Sequence, residues 1–155
     1  MKINYFLFFV FLTTYLYPDC TGKPGQKGFN PDDCSKQDSR ILQHIVSLNP
    51  HIQDFLQLGS QTWEKGHLVK LKDENYGNRF RLTDIFQLKE LKELNLSHVE
   101  ILDSMSVEID NLQNLESLTI NFTNLSGYMN AGIGSLINLN FLSLDHNDLS
   151  GMIPE

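Results

Sequence analysis

The tripeptides Leu94-Asn95-Leu96, Leu118-Thr119-Ile120 and Leu142-Ser143-Leu144 follow one another at intervals of 24 residues. Leu88/Leu91, Leu112/Leu115 and Leu136/Leu139 precede them in the same register, and Leu125-Ser126-Gly127 returns as Leu149-Ser150-Gly151. The shared spelling is L-x-x-L-x-x-L-x-L. A unit this short cannot bury its apolar face alone, so successive units must stack and share one core. The leucines are committed to that core, which leaves the residues between them as surface.

The period and spelling are those of a leucine-rich repeat, and they predict an α/β solenoid. Within each unit x-L-x-L-x is a short strand, and alternation turns leucines inward and the x residues outward. A parallel sheet is expected through residues 92–98, 116–122 and 140–146, with irregular or short-helical turns behind it. The outward positions then form rows on the concave face. Glu93, Ser117 and Phe141 make the first row, Asn95, Thr119 and Ser143 the second, and Ser97, Asn121 and Asp145 the third. His98, Phe122 and His146 lie along the edge. These twelve residues are the candidate ligand-binding face, with Phe141 and Phe122 as candidate aromatic anchors. The position after the strand, where an Asn side chain would bond neighbouring turns, holds Val99, Thr123 and Asn147 in turn. Thr123 can make part of that bond and Val99 none. Gly127 and Gly151 suit backbone geometry that other residues resist.

Before the repeats the pattern changes. Residues 18–33 are rich in Pro, Gly, Asp and Lys, an irregular lead-in. From Ser35 onward Ile41, Leu42, Ile45, Val46 and Leu48 recur at helical spacing. Ser35 or Asp38 is placed to cap that helix, and Asn49-Pro50 ends it, because a residue before proline avoids helical geometry. Ile52, Phe55, Leu56 and Leu58 form a short second segment that stops at Gly59. Trp63 and His67-Leu68-Val69-Lys70-Leu71 then read as a first strand. Leu71 precedes Leu94 by 23 residues, but the next core position holds Asp73, and Asn75-Tyr76-Gly77-Asn78 spells a turn. Residues 20–87 are therefore expected to be lead-in, helical cap and degenerate first repeat. Residues 88–155 are the repeats. The count breaks off mid-unit at Glu155, which reads as a fragment, a truncated gene product or a short member of its class.

Lys2 followed by the apolar run Ile3 to Tyr17 has the layout of a secretory signal peptide. It is shorter than the roughly 20 residues of a membrane-spanning helix. Residues 1–19 are assigned to that signal, with a cleavage point between Tyr15 and Cys20; the bulky Tyr15, Leu16 and Tyr17 lack the small-residue cleavage pattern and leave an uncleaved anchor as the alternative. The chain is then secreted or at the cell surface, in the extracellular space or cell wall, and membrane-bound only as part of a longer receptor. In an oxidising compartment Cys20 and Cys34 can close a disulfide worth roughly 3 kcal/mol, or stay free. A formal net charge of −7 argues against a nucleic-acid partner, whose phosphates need a basic face.

The string Asn147-Asp148-Leu149-Ser150-Gly151-Met152-Ile153-Pro154 resembles the N-x-L-S-G-x-I-P tail of the plant-type extracellular leucine-rich repeat. Thr123-Asn124-Leu125-Ser126-Gly127 and Gly132-Ile133-Gly134-Ser135-Leu136 look like the same unit one turn earlier. Cys34-Ser35-Lys36-Gln37-Asp38, the helix ending at Pro50, and Trp63 resemble the cap of polygalacturonase-inhibiting proteins and of leucine-rich-repeat receptor ectodomains. The likeness is strong from residue 88 and looser from 34 to 87. Tyr128-Met129-Asn130 replaces the I-P step of the second full repeat, and no cysteine follows Cys34. The resemblance implies a noncatalytic module that binds an extracellular protein or peptide, receptor-like or inhibitor-like, with a microbial wall-degrading enzyme as one such partner. The alternative is a cell-wall or matrix protein that binds polysaccharide.

Three sequons, at Asn95, Asn121 and Asn124, make these residues candidate glycosylation sites in a secreted chain. Asn124 lies in a turn and is the best placed. No spacing singles out a carboxylate pair for glycoside hydrolysis, a nucleophile elbow or a phosphate-cradling loop. His98 and His146 are two strands apart, about 10 Å, too far to share one metal. No enzyme activity, cofactor or metal is expected.

Overall fold

A computed structural model describes residues 35–153; the expected signal segment, Cys20 and Cys34 lie outside the described residues. The first element is helix α1 (Lys36–Ser47). Ser35 caps it, its Oγ accepting from the Asp38 amide at 3.3 Å. Ile41, Leu42 and Ile45 bury one face, as their spacing predicts. Asp38 turns inward, and its carboxylate accepts from the Leu68 amide at 3.0 Å, which ties the helix to the sheet.

A single 3-10 turn at Phe55–Gln57 leads into β1 (Ser60–Glu64) and β2 (His67–Asp73), an antiparallel hairpin. Trp63 therefore sits on a strand of its own, where the sequence suggested one strand headed by Trp63. The reversal is made by Lys65 and Gly66, both at positive φ (50° and 84°), as a two-residue hairpin turn requires. Lys-Gly is a weaker spelling of that turn than Asn-Gly, so the hairpin was not legible.

Next come β3 (Arg79–Phe80), the short helix α2 (Leu82–Ile85), β4 (Glu93–Ser97) and β5 (Glu100–Ile101). A 3-10 helix at Val107–Asn111 precedes β6 (Ser117–Asn121) and β7 (Ser126–Tyr128). Another at Ala131–Ser135 precedes β8 (Phe141–Ser143) and β9 (Asp148–Ser150). The main sheet has the order β1-β2-β4-β6-β8, and β2, β4, β6 and β8 are mutually parallel. Its register places Leu71, Leu94, Leu118 and Leu142 in one line. The strands are shorter than the seven-residue spans expected. Two further parallel pairs, β3–β5 and β7–β9, lie where irregular or short-helical turns were expected. Stacking brings equivalent extended segments of neighbouring turns within bonding distance, and they pair.

One continuous apolar core runs from Leu42 through Phe80, Phe86 and Leu94 to Leu118 and Leu125. Its cover thins along the stack: Leu94 is 1% exposed, Leu118 0% and Leu142 41%. Asp73, in a leucine's place opposite Leu96, is fully buried and accepts from the Asn75 amide and the Asn78 Nδ2 at 2.9 and 2.8 Å. A buried carboxylate persists only with such partners. Among the described residues, no helix is long and apolar enough to cross a membrane.

Candidate functional site

The face of the main sheet turned away from the core carries the rows predicted from the repeat. Glu93, Ser117 and Phe141 are in register, as are Asn95, Thr119 and Ser143, and Ser97 with Asn121. The first two rows extend onto β2, where Lys70 pairs in register with Glu93 and Lys72 with Asn95. The sequence does not place these lysines on the face, because Asp73 interrupts the leucine spelling beside them. Lys70 also forms an ion pair with Glu93, and Lys72 with Glu74 at 3.2 Å. Ser97 contributes little surface. It is 7% exposed and its Oγ donates to Asn95 Oδ1 at 2.8 Å.

The far end of the face is organised around Asp145. Asn121 Oδ1 accepts from the Asp145 amide at 2.8 Å, and Ser143 Oγ lies 3.0 Å from both Asn121 Oδ1 and Asp145 Oδ2. The single hydroxyl proton of Ser143 serves one of those two acceptors at a time. Asn121 is thus a brace between strands as well as a surface residue. Phe141, two positions before Ser143 on the same face, is 55% exposed.

Along the edge, His98, Phe122 and His146 all adopt positive φ (61°, 52° and 55°). This is the left-handed region, which costs a non-glycine residue roughly 1–2 kcal/mol. Their rings stack into a column that begins one turn earlier with Tyr76. Centroid separations are 4.8 Å from Tyr76 to His98, 4.8 Å to Phe122 and 4.1 Å to His146, the last two near-parallel. Stacked aromatic pairs are worth about 0.5–1.5 kcal/mol each, the same order as the backbone cost. Tyr76 Oη and His98 Nδ1 share a hydrogen bond of 2.9 Å. The sequence placed three of these residues at one repeat position; it did not reveal that their faces cover one another, nor that Tyr76 joins them.

The bracing of each turn follows the side chains available. Asn147 Nδ2 donates to the carbonyls of Ile120 and Leu144 at 2.6 and 3.0 Å, and its Oδ1 accepts from the Thr123 amide at 3.2 Å. Val99 can offer nothing equivalent and is simply buried. Asn124 is exposed, and its Oδ1 accepts from the Ile101 amide at 2.7 Å. Of the three sequons, Asn95 and Asn121 sit on the sheet face and Asn124 lies off it.

Beside the hairpin, an open hollow of about 200 Å³ is lined by Glu64, Lys65, His67, Val69, Glu90 and Lys92. Lys92 Nζ donates to Glu64 Oε2 at 2.8 Å. That hydrogen bond holds the Glu64 carboxyl below its ordinary range and raises the Lys92 ammonium above its own. Among the described residues, no group of three or more His, Cys, Asp or Glu side chains is gathered to hold a metal ion.

Period, register and braced turns define a protein with the leucine-rich-repeat fold, similar to plant-type extracellular leucine-rich-repeat proteins. No protein-family model matches the chain, and no curated protein does. Solved structures match. The PEPR1–AtPEP1 complex aligns with a TM-score of 0.65 and 19% identity over 77% of this chain and 19% of that one. The leucine-rich-repeat ectodomain of the Arabidopsis thaliana receptor kinase SOBIR1 aligns at 0.57 and 24% identity, covering 76% and 70%. That of the Arabidopsis thaliana membrane receptor kinase GASSHO1/SCHENGEN3, solved in complex with CASPARIAN STRIP INTEGRITY FACTOR 2, aligns at 0.50 and 30% identity, covering 56% and 11%. The chain thus spans under a fifth of the PEPR1 and GASSHO1/SCHENGEN3 matches.

Proposed function

We propose that this protein is a secreted, noncatalytic leucine-rich-repeat solenoid with a helical cap, which binds an extracellular protein or peptide through the concave face of its sheet. The reading rests on one observation above others. The leucines are consumed by the core, while the opposite face holds registered rows of hydroxyl, amide, charged and aromatic side chains. The ectodomain of GASSHO1/SCHENGEN3, similar at 30% identity, was solved with CASPARIAN STRIP INTEGRITY FACTOR 2 bound. In this reading residues 1–19 are a signal peptide, Cys20 and Cys34 form a disulfide ahead of α1, and Asn124 carries a glycan clear of the binding face.

The test is steric. A bulky residue at Thr119, at the centre of the second row, should abolish recovery of peptides from a displayed random library while leaving the melting temperature near that of the parent. Recovery unaffected by Thr119→Trp would sink the concave-face reading. The inhibitor version makes a separate claim, that the purified protein slows a fungal polygalacturonase, and it fails if no such enzyme among several is slowed. The polysaccharide reading draws less support from the geometry. The faces of His98 and Phe122 are taken up within the ring column, so sugar rings cannot lie on them.

A further inference from the structure

The charges of this chain are divided in an unusual way. All 12 Lys and Arg residues occur at or before Lys92, whereas nine of the 19 Asp and Glu residues follow it. From β4 onward, the repeats contain no permanent cation of their own; His98 and His146 are their only basic side chains. The other acids at the start of the sheet face have protein partners: Glu93 pairs with Lys70 and Glu74 with Lys72. Among the described residues, Asp145 has no ion pair with a basic side chain. It is exposed at the far end of the face, and its carboxylate is oriented by Ser143 while its backbone is fixed by Asn121. A carboxylate already oriented loses little freedom when a cation binds, which favours pairing with one brought by a ligand.

Asp145 also has an apolar companion. Phe141 and Ser143 share one face of β8, Asp145 follows just past its end with its carboxylate on the Ser143 hydroxyl, and Phe141 is 55% exposed. At a strand rise of about 3.3 Å per residue, Phe141 and Asp145 lie about 13 Å apart. An extended ligand repeats its own side chains on one face every second residue, so its positions i and i+4 cover the same span.

We infer that the far end of this face takes an extended peptide segment bearing a Lys or Arg on Asp145 and, four residues away, a large apolar side chain on Phe141. This deepens the concave-face reading and rests on it. The acidic field of the repeats would steer such a segment inward and make its association sensitive to salt.

The test uses the full chain and a nine-residue peptide set in a Ser/Thr background, in which one Lys and one Leu are placed two, four or six residues apart. Matched sets replace Lys with Glu or with Gln. The i, i+4 Lys/Leu peptide should bind best, Asp145→Asn should weaken it about tenfold, equivalent to about 1.4 kcal/mol, and Asp145→Asn should leave the Gln/Leu peptide within twofold. If Gln or Glu peptides bind as well as Lys peptides, or if Asp145→Asn changes nothing while Thr119→Trp abolishes binding, the cation anchor is wrong and the concave-face reading stands. If no peptide binds, or Thr119→Trp is without effect, both fall. Asp145→Asn preserves shape and hydrogen bonding to Ser143, and its unfolding curve should overlay that of the parent.

Discussion

The turns of chain before residue 98 and those after it are held in register by different chemistry. Among the described residues, the six buried polar or charged side chains, Asp38, Asn49, Gln61, Asp73, Asn78 and Ser97, all lie in the first stretch. Each makes specific bonds there. Asn49 fastens the end of α1 to β3, and Gln61 Nε2 donates to the Phe55 and Leu58 carbonyls while its Oε1 accepts from Trp63 Nε1. After residue 98 the chain relies on leucines at fixed spacing, backbone ladders, and an Asn or Thr at the edge of the buried volume. Where units are alike, repetition supplies the register. In the irregular opening turns, each contact has to be specified by its own polar pair, and a buried polar pair is costly to break.

The largest difference is expected between Gly59 in the first stretch and Gly127 in the second. Gly59 has φ of +59°, and a Cβ there would sit 2.0 Å from the Lys72 carbonyl oxygen, inside the sheet backbone. Neither strain nor clash can be relieved by moving a side chain. Gly59→Ala should cost more than about 3 kcal/mol, enough to leave much of the protein unfolded. Gly127 has φ of +89° but nothing within 4 Å of where a Cβ would stand, so Gly127→Ala should cost only the backbone strain of about 1–2 kcal/mol. Urea denaturation of the two variants checks this, and equal losses would remove the distinction.

A second pair compares two asparagines with similar bonds. Asn49 is fully buried, with Nδ2 donating to Ile45 and Arg79 carbonyls and Oδ1 accepting from the Arg79 amide at 2.7 Å. Asn49→Ala leaves those groups without water or partner and should cost about 2–3 kcal/mol. Asn147 makes more bonds but is only partly buried, so water can replace it. Asn147→Ala should cost about 1 kcal/mol, read in the same unfolding experiment. The reverse order would mean that the repeats depend on their asparagine more than on their leucines.

The same contrast explains what the sequence disclosed. Leu94, Leu118 and Leu142 could be placed on one line because the physics that stacks repeats is the physics that spaces their leucines. The outward rows followed from alternation alone, down to Ser117 beside Phe141. The hairpin of β1 and β2 is hidden in the sequence because its turn is Lys65-Gly66, and because β2 is tied to Asp38, a partner 30 residues away. The small β3–β5 and β7–β9 pairs were missed for a related reason. These strands are only two or three residues long, too short to show an alternation, and only the stacking of neighbouring turns makes them strands. At the site, the position of His98, Phe122 and His146 was legible, but their stacking depends on a left-handed backbone that no residue there advertises.

The smallest effect belongs to the exposed ion pair of Glu64 and Lys92, which joins the hairpin to the start of the first full repeat. Its hydrogen bond lowers the Glu64 carboxyl from its ordinary 4.5 and raises Lys92 from its ordinary 10.5. For the carboxyl, the stabilising contribution is present above its unfolded value and lost as pH falls through the lowered folded value. For the ammonium it is complete below the unfolded value and lost as pH rises through the raised folded one. The pair is therefore intact across the whole neutral range, and Glu64→Gln should lower stability slightly there. That difference should shrink in strong acid, where the parent's own carboxyl is protonated, and at high salt, where exposed charges are screened. A difference between parent and Glu64→Gln that persists unchanged in both conditions would show that Glu64 joins the two stretches through packing and not through charge.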